Sequence, residues 1–211
     1  MYTLYYSPGS ASLCVHWMLI DLKVPFELVL VDLASGANKA ADYLALNPEG
    51  KVPTMMVDGR PMSESTAILM LLAERHPDAG LAPAEGAPGR PEYLQWMVYL
   101  ANALMPSFRR WFYAEKGVPE HVDALKADAR EWIEGVWNRV EMQLGDGRAF
   151  LLGEKISAAD YLLTMLTRWS RNMEKPATQW PKLGAYIARM KQQPGLIEAH
   201  AREGLSEWIS A

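Results

Sequence analysis

The stretch Asn47-Pro48-Glu49-Gly50-Lys51-Val52-Pro53-Thr54, followed ten residues on by Glu64-Ser65-Thr66-Ala67-Ile68, decides the fold. Only an X-Pro bond has ready access to cis, and Val52-Pro53 opens a β-rich run where a trans proline is unwelcome. A cis turn there leaves the Val52 backbone facing outward. Its N–H and C=O are then free to pair with an extended peptide that docks as an added strand. Glu64-Ser65 sets a carboxylate and a hydroxyl at the start of an apolar helix, whose unpaired N–H groups suit a carboxylate ligand.

Working outward, Tyr2 to Tyr6 is a short aromatic run bounded by Pro8-Gly9 and reads as a strand. Ser10 to Lys23 carries Leu13, Trp17 and Ile20 at helical spacing, and Phe26 to Val31 reads as a second strand, parallel to the first. A short helical piece spans Lys39 to Leu46. Val52 to Val57 and Pro61-Met62 then flank Asp58-Gly59, a hairpin signal, and Ser65 to Arg75 closes the unit as a helix. The order βαβαββα is the thioredoxin-like arrangement, assigned to residues 1–78.

Pro77, Gly80, Pro83, Gly86, Pro88, Gly89 and Pro91 break any regular element, so residues 79–91 are a linker. From Glu92 onward the periodicity is helical: Tyr93 to Ala114 with a bend at Pro106, Pro119 to Leu144, Ala158 to Asn172 and Pro181 to Gln193. The fold class is α+β, a thioredoxin-like domain followed by an all-helical domain over residues 92–211. Ser157 and Asp160 have the form of a reciprocal capping box, a folding element rather than a catalytic one.

Half of the 211 residues are apolar, enough for a substantial core. A net charge of -4, a pI near 5.6 and scattered basic residues argue against nucleic acid. A single cysteine, Cys14, excludes an internal disulfide and a multi-cysteine metal site, and a reducing cytoplasm is the expected home. No secretory leader and no membrane-length apolar run is read. His16, His76, His121 and His200 lack metal-ligand spacing, so no metal is expected.

Four motifs in order resemble the cytosolic glutathione transferases over nearly the whole chain: Tyr6-Ser7-Pro8-Gly9-Ser10-Ala11-Ser12, the two stretches quoted first, and Ile156-Ser157-Ala158-Ala159-Asp160. The resemblance implies that Val52, before cis-Pro53, pairs with the cysteinyl backbone of glutathione, and that Glu64 and Ser65 hold its γ-glutamyl end. Lys39 and Lys51 are offered for its glycine carboxylate. It also implies a homodimer, a detoxifying transferase with glutathione as co-substrate, and an electrophile pocket walled by Met105, Phe108, Arg109 and Phe112. On composition alone, most of that aromatic and sulfur-rich stripe reads as core. Bacterial beta-class members have a cysteine where this chain has Ala11, and a His-Lys pair where it reads Met105-Pro106. The chain is similar to a beta-like scaffold with serine-type chemistry.

The thiol of glutathione ionises near about 8.5, and only its thiolate is a good nucleophile. A two-unit drop requires roughly 2.7 kcal/mol of preferential stabilisation, within reach of one charge-assisted hydrogen bond aided by a helix dipole. Ser10 and Ser12 are the candidate donors. Ser10 is expected to cap the helix while keeping its proton for the thiolate. Tyr6 is the alternative, and Cys14 reads as a small buried side chain. The same thiolate site supports isomerisation, dehalogenation or reduction, and a non-catalytic interaction protein of this fold is the rival from another class.

Overall fold

The computed structural model describes residues 1–116 and 119–209. Gly117, Val118 and the last two residues of the expected helical domain lie outside the described residues. Two compact units are present, Met1–Ala82 together with Met190–Ala211, and Pro83–Arg189.

In the first unit, strands β1 (Tyr2–Tyr6), β2 (Phe26–Leu30), β3 (Thr54–Val57) and β4 (Arg60–Ser63) form one sheet in the order β2-β1-β3-β4. Strand β1 runs parallel to β2, from Tyr2 opposite Phe26 to Tyr6 opposite Leu30. It is antiparallel to β3, with Leu4 opposite Met55. The β3–β4 hairpin closes at Val57 and Arg60, and Asp58 and Gly59 take φ of 52° and 75°. Both central residues therefore adopt the positive φ that the tightest hairpin turn requires. Helices α1 (Leu13–Asp21), α2 (Ala41–Leu46) and α3 (Ser65–Arg75) complete the βαβαββα order. Leu4, Trp17, Met55, Ile68 and Leu72 are buried in this unit.

The second unit holds α4 (Arg90–Phe112), α5 (Val122–Gln143), α6 (Ala158–Trp169) and α7 (Pro181–Met190). Helix α6 is buried from Ala158 through Arg168. Its head carries the expected capping box: Ser157 N–H and Ser157 Oγ donate to Asp160 Oδ2 at 2.8 and 2.9 Å. Asp160 Oδ1 accepts from Leu151 N–H at 2.8 Å and the Tyr186 hydroxyl at 3.0 Å. Helix α4 continues through Pro106, two residues before its buried Phe108.

Helix α8 (Pro194–Arg202) is absent from the sequence reading, which ended its last helix at Gln193 and counted the whole C-terminal part with the helical domain. Pro194-Gly195 looks like a breaker, yet proline at the first helical position starts a helix. Helix α8 packs on α1 in the first unit. Gly195 permits the approach: a Cβ there would fall 1.9 Å from Asp21 Oδ1 and 3.0 Å from Trp17 Cδ1. Among the described residues, no helix is long and apolar enough to cross a membrane.

Candidate active site

The Val52-Pro53 peptide bond is cis. The β1–β3 ladder ends at Tyr5 opposite Thr54, so Val52 lies just beyond it. No backbone hydrogen bond joins Val52 to another described residue. Several side chains hold the loop that presents it. Tyr43 Oη and Asn47 Nδ2 donate to Lys51 C=O at 2.6 and 2.8 Å, and Asn38 Nδ2 donates to Gly50 C=O at 2.7 Å. Asn47 Oδ1 also accepts the Glu49 N–H at 3.1 Å. Gly50 has φ 61°, and a Cβ there would meet Asn38 C=O at 2.7 Å, so the loop admits glycine alone.

Glu64 is exposed and precedes α3 with φ 69° and ψ 101°, a costly conformation for a residue with a Cβ. Its side chain makes no capping hydrogen bond. Ser65 is buried, and apart from the adjacent Cys14 thiol its hydroxyl has no partner among the described residues. The buried Thr66 hydroxyl has none either. The first N–H groups of any helix also lack intrahelical acceptors. The head of α3 is thus rich in unsatisfied donors behind an outward-facing carboxylate.

The turn from Ser7 to Ser12 corrects one expectation. Helix α1 starts at Leu13 with Ser12 as its N-cap residue, so Ser10 does not cap it. Ser10 Oγ instead accepts the Ser12 N–H at 3.3 Å inside the turn, a local bond that competes with helix formation. Ser12 is fully buried, and its hydroxyl is taken up by contacts within the turn. Its Oγ lies 3.2 Å from Ser7 C=O, 3.3 Å from Ser7 N and 2.9 Å from Ser10 Oγ. Each hydroxyl has one proton. When Ser12 donates to Ser10, the proton of half-exposed Ser10 is left for an incoming acceptor.

Burial, and next to it the Glu203 charge, raises the Tyr6 hydroxyl above its ordinary value, which weakens it as a thiolate donor. Burial pushes the Cys14 thiol up to about 12, which rules it out as a nucleophile. Lys51 Nζ is engaged with the Glu49 carboxylate at 3.0 Å in a surface pair. Lys39 is exposed, with its Nζ close to Gly50.

On α4, Phe108 has no exposed surface and corrects the assignment to a pocket wall. It is core, enclosed by Phe112, Trp137 and Trp169 at centroid distances of 5.9, 6.2 and 5.7 Å. Phe112 stays exposed, Met105 is half-buried, and exposed Arg109 lies over the Tyr113 ring. Sequence reasoning missed Asn38, Tyr43 and Asn47, although the Asn-Pro dipeptide at 47–48 is a turn signal. It also missed Glu203, for which no local pattern exists.

The family described as "Glutathione S-transferase, N-terminal domain" matches residues 10–75, and "Glutathione S-transferase, C-terminal domain" matches residues 96–194. Glutathione S-transferase GST-4.5 of Xanthomonas campestris pv. campestris is 33% identical, over 96% of this chain and 99% of the relative. A sphingomonad glutathione S-transferase solved in complex with glutathione is 34% identical with a TM-score of 0.84, covering 97% of this chain and 100% of that one. The bacterial beta class glutathione S-transferase of Sphingomonas chungbukensis is 31% identical with the same TM-score, 0.84, covering 96% and 99%. The chain belongs to the glutathione S-transferase family. Its enzyme class is accordingly that of the glutathione transferases.

Proposed function

We propose that this chain conjugates the thiolate of glutathione to an apolar electrophile. The observation that carries this reading is the open head of α3, where the buried Ser65 hydroxyl, met only by the Cys14 thiol, and the Thr66 hydroxyl, with no partner among the described residues, stand behind the strained Glu64. Such a head has the donors for a carboxylate and, in Glu64, an acceptor for an ammonium, which together make up the γ-glutamyl end. The unpaired Val52 backbone next to cis-Pro53 supports pairing with the cysteinyl segment. For the glycine carboxylate we assign Lys39, since Lys51 already has a carboxylate partner. On α4, Met105 and Phe112 offer apolar surface to the electrophile.

Ser10 is the thiolate donor in this reading, with Ser12 behind it as a positioning residue. No general base is needed once the thiol is ionised, and catalysis rests on positioning and charge stabilisation. Replacing Ser10 by alanine is expected to raise the pKa of bound glutathione, read from thiolate absorbance, by about one unit. Failure to bind immobilised glutathione, or binding with no turnover of 1-chloro-2,4-dinitrobenzene and a broad electrophile panel, overturns the transferase reading.

A homodimer in the cytoplasm completes the proposal. The exposed Val29, Leu30 and Leu33, on and beside edge strand β2, and the single reduced Cys14 support it. A monomeric mass by sedimentation at micromolar concentration counts against the dimer.

A further inference from the structure

The hydrogen bonds inside the Ser7–Ser12 turn join neighbours: Ser10 N–H to Ser7 C=O, Ser12 N–H to Ser10 Oγ, Leu13 N–H to Ser10 C=O. One bond leaves it. Gly9 N–H, at a φ of 67°, donates to Glu203 Oε2 at 2.8 Å, across 194 residues of chain. The other carboxylate oxygen, Oε1, lies 2.8 Å from His16 Nδ1 on α1, and the side chains of both residues are fully buried. A carboxylate only accepts, so Nδ1 carries the proton. The His16 ring lies between the rings of Tyr6 on β1 and Phe26 on β2, at centroid distances of 6.1 and 5.7 Å. Glu203 is therefore a rigid strut. One end is fixed to α1 through His16 and the other holds the backbone immediately before Ser10.

We propose that Glu203 is a positioning residue for thiol activation: by holding Gly9 N–H, it sets the direction in which the Ser10 hydroxyl faces the sulfur of glutathione. The inference rests on the reading of Ser10 as thiolate donor. A carboxylate of this kind would be retained for its charge alone if its effect were electrostatic, but a negative charge near the turn opposes a thiolate. Its contribution to activation is thus geometric, made through the Gly9 hydrogen bond. Glutamine can make the same pair of contacts, its Oε1 accepting from Gly9 and its amide facing His16 in the other tautomer. Alanine can make neither, and aspartate is one methylene too short to span both.

The test is the pKa of glutathione bound to the full-length protein, read by thiolate absorbance, in Glu203→Ala, Glu203→Asp, Glu203→Gln, Ser10→Ala and the Ser10→Ala/Glu203→Ala double variant. Glu203→Ala is expected to raise the pKa by about one unit, as Ser10→Ala does, and the double variant to rise no further than either single one. Glu203→Gln, which keeps both contacts and removes the opposing charge, is expected to give the wild-type value or a lower one. Where the alanine variant does not fold, Glu203→Asp supplies the raised pKa. An unchanged pKa in Glu203→Ala or Glu203→Asp, with only a lowered melting temperature, makes Glu203 a structural residue and overturns the inference while leaving the Ser10 reading intact. Additive shifts in the double variant overturn it too, as does a glutamine variant that behaves like alanine. An unchanged pKa in Ser10→Ala overturns the donor reading and this inference with it.

Discussion

Two helix heads in this chain start from similar short polar motifs and end in opposite states. At α6, Ser157 and Asp160 close on each other, and Asp160 also takes the Leu151 N–H and the Tyr186 hydroxyl, so that the donors around the carboxylate are met from within. At α3, Glu64 points outward from a strained backbone, the Ser65 hydroxyl meets only the Cys14 thiol, and the Thr66 hydroxyl has no partner among the described residues. The difference lies in what each head is for. A closed head contributes stability to the fold, because buried polar groups are costly unless paired. An open head forgoes that stability, and in the proposed reading its donors are kept for glutathione.

The sharpest way to break the comparison is at the closed head. Asp160→Ala leaves the Leu151 and Ser157 N–H groups and the Tyr186 hydroxyl without their acceptor, and we expect a loss of about 3–5 kcal/mol in urea unfolding. Glutathione affinity of the folded fraction is expected to stay unchanged. A loss under about 1 kcal/mol, the scale of a single ordinary hydrogen bond, would mean that the closed head is not a clamp.

At the open head the signs reverse. Glu64→Gly relieves a φ of 69° and is expected to raise stability by about 1 kcal/mol. At the same time it should weaken glutathione binding by about tenfold, or 1.4 kcal/mol, in calorimetric titration. If affinity survives, Glu64 is a fold residue and the contrast between the two heads collapses. Ser65→Ala is milder: removing an unsatisfied buried hydroxyl leaves the melting temperature level or slightly higher, with affinity lowered about fivefold.

The smallest effect is a pH dependence beside the closed head. The Arg148 guanidinium, hydrogen-bonded to Asp146, holds that carboxyl down at about 2, against about 3.9 for a free aspartate. A lowered folded-state value means stabilisation that is fully present above about pH 4 and lost as the pH falls through 2. The pair is exposed, so Asp146→Asn should only slightly flatten the fall in melting temperature between pH 4 and 2. An unaltered slope would remove this pair from the account of acid stability.

Sequence by itself determined the features whose cause is local. The capping box was legible because the serine and aspartate that satisfy each other lie three residues apart. Asp58-Gly59 specified its hairpin through the φ values those residues tolerate, and Val52-Pro53 marked the start of β3 for the same kind of reason. The breaker-rich stretch from Pro77 leads into α4, which begins at Arg90 and so takes in Pro91, the last proline assigned to the linker. What the tertiary structure alone decided is which side chains stay exposed and which face core. Phe108 and Phe112 stand one helical turn apart with the same chemistry, yet the rings of Trp137 and Trp169 enclose the first and leave part of the second exposed. Ser10 and Ser12 are likewise indistinguishable as residues, and only packing buries Ser12 and leaves Ser10 half-exposed. Helix α8 and Glu203 join the first unit through contacts with α1 and Gly9 far back in the chain, and no window of sequence contains both partners. Local hydrogen bonds and backbone preferences act within a few residues and can be read there, whereas burial depends on every element that packs around a side chain.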